Sequence, residues 1–416
     1  MDAEDERAKK PNITIIVLDA LRVDMFNELI KTRGKELSRL GHFLYLKKCI
    51  APETWTLPSF ASILTGTYAS EHGAHETKTV KALNIDQIML KRTTMISDLK
   101  EMGYKTYAVS ASPYFHPVYG FVEFDDFKEE SYFTDIWGSV IEVSKKLKPL
   151  FAKYREKYGS KGDLFTSAVK IPLATLREDP ALFLEGLVSG IALTPVSAAK
   201  KLKAKVIDEW PLEKGGKRMV KEVERKRYKR PFFLFINLLE PHDPYTESKK
   251  EALDWRTQYT KGAVTAKKVR LWKKLYAKAS RKGYAYAYEM LKHIIAKFGD
   301  NQIIIFTSDH GQAFNEHGFV GHGAMLYDEI VRVPFALMLP KGFNMVESRD
   351  YSSLINIKPF LFAAISGDKD AARLLYSKKV IAESFGTHVR ISSMEGIDRK
   401  KLSEANRYRK RVFVSR

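Results

Sequence analysis

The sequence predicts an α/β fold: a mostly parallel sheet sandwiched by helices, interrupted by a basic helical insertion. Three observations predict it. Apolar, β-branched runs of strand length recur along the chain, helical patterns lie between them, and one long Lys-rich stretch breaks the alternation.

The first run, Asn12 to Ala20 (NITIIVLDA), is continuously apolar, as a strand buried on both faces reads, and it ends in Asp19. Open α/β sheets place ligands beyond the carboxyl ends of their strands, so Asp19 is a candidate ligand. Thr54 to Gly66 (TWTLPSFASILTG) reads as a loop entering a helix near Pro58, since proline suits a first helical turn. Taken alone, that segment offers Thr54 or Thr56 as a helix cap. A helix around Met95 to Met102 leads into a strand over Tyr104 to Ser110. From about Phe127 to Arg230 the pattern turns Lys-rich and helical, without a strand of comparable strength. Strand runs resume at Pro231 to Glu240, Asn301 to Gly311 and Val333 to Pro340, with a helical pattern over Tyr284 to Phe298. The expected organisation is a catalytic domain over 11–126 and 231–390, an inserted cap over 127–230, and a basic tail over 391–416.

Charge follows the same division. The chain has 70 Lys+Arg against 50 Asp+Glu, a net charge of +20. Ser139 to Arg230 holds 22 basic and 11 acidic residues, and Ser248 to Gly283 holds 12 and 2, so these two segments account for the surplus. Within the first, Ala181 to Ala199 is apolar apart from Glu185; it reads as an interrupted helix packed on the domain, with contact to a membrane surface as the alternative. The single cysteine, Cys49, excludes an internal disulfide and any cysteine-only metal site. No run of about 18 apolar residues suggests a membrane span. The mixed-charge start lacks the order of a signal peptide, which makes a cytoplasmic, at most membrane-peripheral, protein the expectation.

Two later strand runs end in polar clusters, LLEPHDPY (Leu238 to Tyr245) and TSDHGQAFNEHGFVGHG (Thr307 to Gly323). A carboxylate beside an imidazole at a strand end, as in Asp309-His310, makes a good half-site for a divalent metal. Asp19, TLPSFASILTG, EPHDPY, TSDHG with NEHG, and RVP, in that order, resemble the landmarks of the sulfatase family in the alkaline phosphatase superfamily. The resemblance spans most of Pro11 to Pro340 and implies that fold. Its nucleophile motif, C/S-x-P-S-R, aligns Thr56 with the nucleophile through Pro58-Ser59. A threonine cannot become formylglycine, Phe60 replaces the arginine, and Ala20 breaks the family's paired aspartates. Cys49 has neither the spacing nor the arginine to substitute.

These departures resemble the superfamily branch whose unmodified threonine acts mostly on phosphate esters. The resemblance then implies metal ligation by Asp19, Thr56, Asp309 and His310, with Thr54 as the reserve nucleophile. An imidazole in the set favours zinc or manganese, with calcium or magnesium as alternatives. His242 resembles the histidine that neutralises phosphoryl or sulfuryl oxygens, and His322 the group that helps the leaving oxygen depart. Glu240 is a candidate for a second metal site, though its spacing does not match; one metal is the base expectation. Arg22, Asp24, His72 and His317 match positions that hold loops. The implied function is cleavage of phosphate or sulfate esters, with transfer to a lipid or glycan acceptor as an alternative. A rival of another class is a binding protein that holds nucleic acid or anionic lipid on its basic segments, where Trp255, Tyr259, Trp272 and Tyr276 alternate with Lys and Arg.

Overall fold

The computed structural model of the chain describes residues 10–76, 85–130, 177, 214–243, 264–386 and 407–415. All of these but residue 177 belong to one compact unit formed by Met1–Glu130 and Pro211–Arg416. Its centre is a seven-stranded sheet of β1 (Asn12–Leu18), β2 (Leu44–Tyr45), β3 (Lys105–Ser110), β4 (Asp126–Glu129), β5 (Phe232–Leu238), β6 (Gln302–Thr307) and β7 (Phe335–Met338). The order is β2-β7-β6-β1-β5-β3-β4. Strands β6, β1, β5, β3 and β4 run parallel, whereas β7 pairs antiparallel with β6 and β2 antiparallel with β7.

Helices α1 (Val23–Leu40), α2 (Thr56–Thr65), α3 (Met95–Glu101), α4 (Gly216–Arg225), α5 (Ala266–Phe298) and α6 (Ile357–Ile365) cover both faces. This coverage explains the apolar runs: every residue of β1 and β5 is buried, so neither strand needs a polar side. On one face, Phe26 and Leu29 of α1, Met219 of α4, and Tyr284 and Met290 of α5 join Ile16, Leu234 and Ile304 in one cluster. On the other, Phe60 of α2 meets Phe115 and Phe235 edge-on, at 4.9 and 5.4 Å between centroids. Truncating such a buried aromatic costs about 3–5 kcal/mol, so the residue in the arginine's place serves the core. No described helix is long and apolar enough to cross a membrane.

The end of the presumed tail is a strand. β9 (Arg409–Val414) pairs antiparallel with β8 (Lys379–Ser384), and its alternation buries Phe413 beside Val380 and Ala382 while Val412 is exposed. Residues 391–406 lie outside the described residues. So do 131–176 and 178–213, which include the apolar Ala181–Ala199 segment. Phe127 to Glu129 falls in β4 and residues 216–225 form α4, so both ends of the Lys-rich stretch pack with the sheet.

One expectation is corrected. Trp272 and Tyr276 are buried on the inner side of α5 and belong to the core, so neither is an exposed platform for bases. They are four residues apart on one helical face, and the lysines around them occupy the other. Trp255 and Tyr259 lie outside the described residues.

Candidate active site

Three neighbouring strands end at one place. β1 lies between β6 and β5, so adjacent carboxyl ends deliver Asp19, the Asp309-His310 pair and the Glu240–Asp243 turn side by side. After β1 the chain turns sharply, with Ala20 in the left-handed region at φ 62°. That conformation costs a non-glycine residue about 1–2 kcal/mol, and the turn is held by its surroundings. The amide of Ala20 donates to Asp309 Oδ1 at 3.3 Å and that of Leu21 to Ser308 Oγ at 2.9 Å. The Tyr276 hydroxyl donates to the Ala20 carbonyl at 3.0 Å and accepts from the Arg22 amide at 2.7 Å. The backbone thus ties Asp19 to the end of β6.

Thr56 is the first residue of α2. The cap position belongs to Trp55, in extended conformation, and no side chain caps the helix. Instead, Thr56 Oγ1 donates to Asp19 Oδ2 at 3.1 Å in a buried setting. Thr54 Oγ1 points to Glu53 Oε2 at 3.4 Å. Of the two threonines, only Thr56 is bonded to the Asp19 carboxylate. Cys49 is buried on a short strand between residues 332–333 and 351–353, and burial pushes its thiol up to about 12. It is neither ionised nor nucleophilic at neutral pH.

Asp19, Asp309 and His310 are fully buried, and one ligand atom from each lies within 4.8 Å of the others. His310 Nδ1 is 2.9 Å from the Gly311 carbonyl, which can only accept, so Nδ1 carries the hydrogen. The bare Nε2 then faces Asp19 Oδ1 and Asp309 Oδ2, each at 3.5 Å. None of these three atoms has a hydrogen-bond donor among the described residues. Three buried acceptors converging without a donor cost several kcal/mol. Burial shifts the groups accordingly. It pushes Asp19 up to about 6, with Asp309 adding to the rise and His242, His310 and the Thr56 hydroxyl opposing it. It pushes Asp309 up to about 7 against backbone donors and Thr56, and lowers His310 below the usual imidazole range. Two carboxylates, a neutral imidazole and a hydroxyl, with no ion pair to a lysine or arginine among the described residues, fit a divalent cation of the zinc or manganese type.

His242 and His322 stand beside this pocket, one nitrogen of each lying within 4.8 Å of the other and of His310. His242 Nδ1 donates to the Asp243 carbonyl at 2.6 Å, and His322 Nδ1 to Gln312 Oε1 at 2.7 Å. The structure brings together all six residues singled out: Asp19, Thr56, His242, Asp309, His310 and His322.

Glu240 is placed differently from the second-metal expectation. Its Oε1 accepts from the amides of Gly216 at 3.0 Å and Lys214 at 3.3 Å, which ties the β5 turn to the start of α4. Gly216 is required there, because a Cβ would lie 2.6 Å from that oxygen and 2.3 Å from the Tyr286 ring. The buried Lys214 ammonium donates to the carbonyls of Glu240 and His242. Burial brings it down to about 8, against the pull of Asp243, Glu240 and Asp19. Lys214, Asp243 and Gln312 were not apparent in the sequence as site residues. The acidic residue after His242 was the available signal for Asp243; a lysine bonded to carbonyls and an amide bonded to an imidazole leave no motif.

The residues expected to hold loops lie outside the metal-facing cluster and make their own contacts. Arg22 pairs with Asp24 at 2.6 Å and Glu316 at 2.8 Å, His72 Nε2 is 3.0 Å from Ser62 Oγ, and His317 is 3.1 Å from Glu329.

A family model described as Sulfatase matches residues 11–367. Over 43 residues the chain is 40% identical to the uncharacterized sulfatase YidJ of Escherichia coli (strain K12), a match spanning 10% of this chain and only 9% of that protein. The phosphonate monoester hydrolase of Silicibacter pomeroyi superposes with a TM-score of 0.56 at 13% identity, covering 90% of this chain and 80% of that one. The enzyme of the same description from Agrobacterium radiobacter gives 0.55 at 12% identity, covering 98% and 86%. At such identities the likeness establishes a shared α/β fold and no more.

Proposed function

The chain belongs to the sulfatase family, and we propose that within it this protein is a metal-dependent hydrolase of phosphate esters with Thr56 as its nucleophile. The observation that carries the reading is the 3.1 Å bond from Thr56 Oγ1 to Asp19 in a buried pocket where Asp19 Oδ1, Asp309 Oδ2 and His310 Nε2 lack donors. Phosphate is favoured over sulfate because threonine cannot form the aldehyde that sulfatases of the usual motif require, and because Phe60 stands in the core where their arginine would be. The activity of the two superposed relatives, both phosphonate monoester hydrolases, agrees with phosphorus chemistry.

Asp19, Asp309, His310 and the Thr56 hydroxyl would hold the cation, which supplies Lewis acidity that lowers the hydroxyl's pKa and neutralises phosphoryl oxygen. The chain's own groups account for the rest. Thr56 Oγ1 sits at the amino end of α2, where the helix dipole favours an arriving anion. As Oγ1 bonds to phosphorus, its proton leaves through Asp19 Oδ2, the acceptor it already faces. With Nδ1–H of each ring already donated, Nε2 carries a hydrogen only in the imidazolium form. In that form His242 neutralises non-bridging oxygens through Nε2–H, and His322 gives its Nε2 proton to the departing oxygen, its ring oriented by Gln312. The bond from phosphorus to the leaving oxygen breaks, giving phosphothreonine, which water resolves. An acceptor alcohol in place of water would make the protein a transferase.

The test is elemental analysis for zinc and manganese, with turnover of aryl phosphate, bis-aryl phosphate and aryl sulfate by wild type and Thr56→Ala. Bound metal with Thr56-dependent phosphate ester cleavage is expected. Near-normal turnover by Thr56→Ala would sink the mechanism; no metal uptake and no turnover would favour a binding protein.

A further inference from the structure

Helix α5 is longer than the sheet it covers. Its 33 residues span about 50 Å, against about 20–23 Å for the six or seven residues of the central strands. The helix leads through Gly299–Asn301 into the amino end of β6, so it runs antiparallel to the strands. Tyr276, which bonds the turn just past the carboxyl end of β1, marks where the sheet stops. The ten residues before it project about 15 Å beyond the carboxyl edge. That is the edge carrying Thr56, Asp19 and His310. The overhang rests on the loop that follows His310: Tyr276 packs on Phe314 at 5.1 Å and Lys273 pairs with Glu316 at 3.1 Å.

From Ala266 to Lys282 the helix carries eight Lys and Arg and no acidic residue. Lys267, Arg270, Lys273, Lys274, Lys278 and Arg281 are exposed. Ion pairs on this face include Lys273–Glu316 and Arg281–Glu28, and Glu316 is already shared with Arg22. Lys267 and Lys268 occupy the first turn, where cations oppose the helix dipole. An external anion would turn that penalty into an attraction. Leu271 lies among these cations, 39% exposed.

We propose that the overhanging amino-terminal third of α5 is a docking surface for an anionic lipid bilayer, holding the Thr56 site against phosphate esters presented at that surface. The proposal rests on the phosphate-ester reading only for what the docking serves. A lipid surface fits better than nucleic acid, because Trp272 and Tyr276, the rings on which bases would stack, are buried. An exposed leucine between lysines is instead the composition of a helix lying at a headgroup layer.

The experiment is vesicle co-sedimentation of the full chain, using phosphatidylcholine with and without phosphatidylglycerol, at low and high salt. Soluble aryl phosphate turnover is measured in parallel. Binding that needs phosphatidylglycerol and weakens with salt is expected. Lys267→Glu with Arg270→Glu should weaken it about tenfold or more and leave soluble turnover unchanged. Lys292→Glu with Lys297→Glu makes the same charge change at the far end of the helix and should leave most of the binding intact. The proposal is overturned if anionic vesicles are not bound, if both double variants lose binding equally, or if a single-stranded oligonucleotide displaces the protein from vesicles by binding more tightly. Vesicle binding without ester turnover would leave docking standing and remove the phosphate-ester reading; turnover without vesicle binding would do the reverse.

Discussion

Glu53 and Thr56 flank the same turn but belong to different buried polar clusters. Thr56 joins Asp19, Asp309 and His310, whose facing atoms accept and do not donate. Glu53 lies near Glu76 and Glu383, and burial, followed by those two charges, pushes its carboxyl well above the usual range. Here donors meet part of the need: Glu53 Oε2 accepts from the Thr54 amide at 2.9 Å, and Glu383 from Ser70 Oγ at 2.9 Å and the Tyr408 hydroxyl at 3.1 Å, with Lys410 at 3.7 Å, while Glu53 Oε1 has no hydrogen-bond donor among the described residues. Both regions bury acid, and burial raises pKa in both. The difference is that one sets an imidazole lone pair and a hydroxyl against its carboxylates, while the other has only amide, hydroxyl and ammonium donors around its acids. Acidity and burial therefore do not identify a metal centre; an imidazole lone pair and a hydroxyl converging on the acids do.

The largest expected effect is that of Thr56→Ala, a loss of about 10³-fold or more in phosphate ester turnover with the fold intact by circular dichroism. Next, Asp309→Asn should lower bound metal, by elemental analysis, from about one equivalent to near none, while Glu383→Gln leaves metal content unchanged. If Glu383→Gln lost metal as well, the contrast between the clusters would fail. His322→Ala should slow turnover about 10²–10³-fold with poor leaving groups and less with activated aryl esters, a dependence that a merely structural histidine would not give. The smallest effect sharpens the second cluster. With its folded pKa raised, Glu53 binds its proton more tightly in the folded state, so its contribution is full below the unfolded pKa and is lost as pH rises towards the folded one. Across that window stability should fall by up to about 1.4 kcal/mol per pH unit, and Glu53→Gln should flatten the slope in denaturant titrations without affecting turnover.

The central strands were legible because a strand buried on both faces leaves an uninterrupted apolar run, as in NITIIVL and FFLFINL. The two-residue strands at Leu44–Tyr45 and Cys49–Ile50 were not, since so short a ladder has no period to read. The candidate ligands could be read because each directly follows a strong strand or sits in an ordered motif. Lys214 and Gln312 could not, because they act through a carbonyl and an imidazole that only the fold brings near. In α5 the density of lysine concealed the face that buries Trp272 and Tyr276. At β9, RKRVFV was read for its charge, and its strand alternation was missed.

Ala20 holds a left-handed backbone at the position where the family's motif has a second aspartate. Aspartate tolerates that handedness better than alanine does, so the main chain is already shaped for the residue it lacks. Ala20→Asp would add an oxygen ligand beside Asp19 and draw the site's preference from borderline metals towards calcium or magnesium. On the proposed reading of the site, a single substitution would thus separate two metal selectivities.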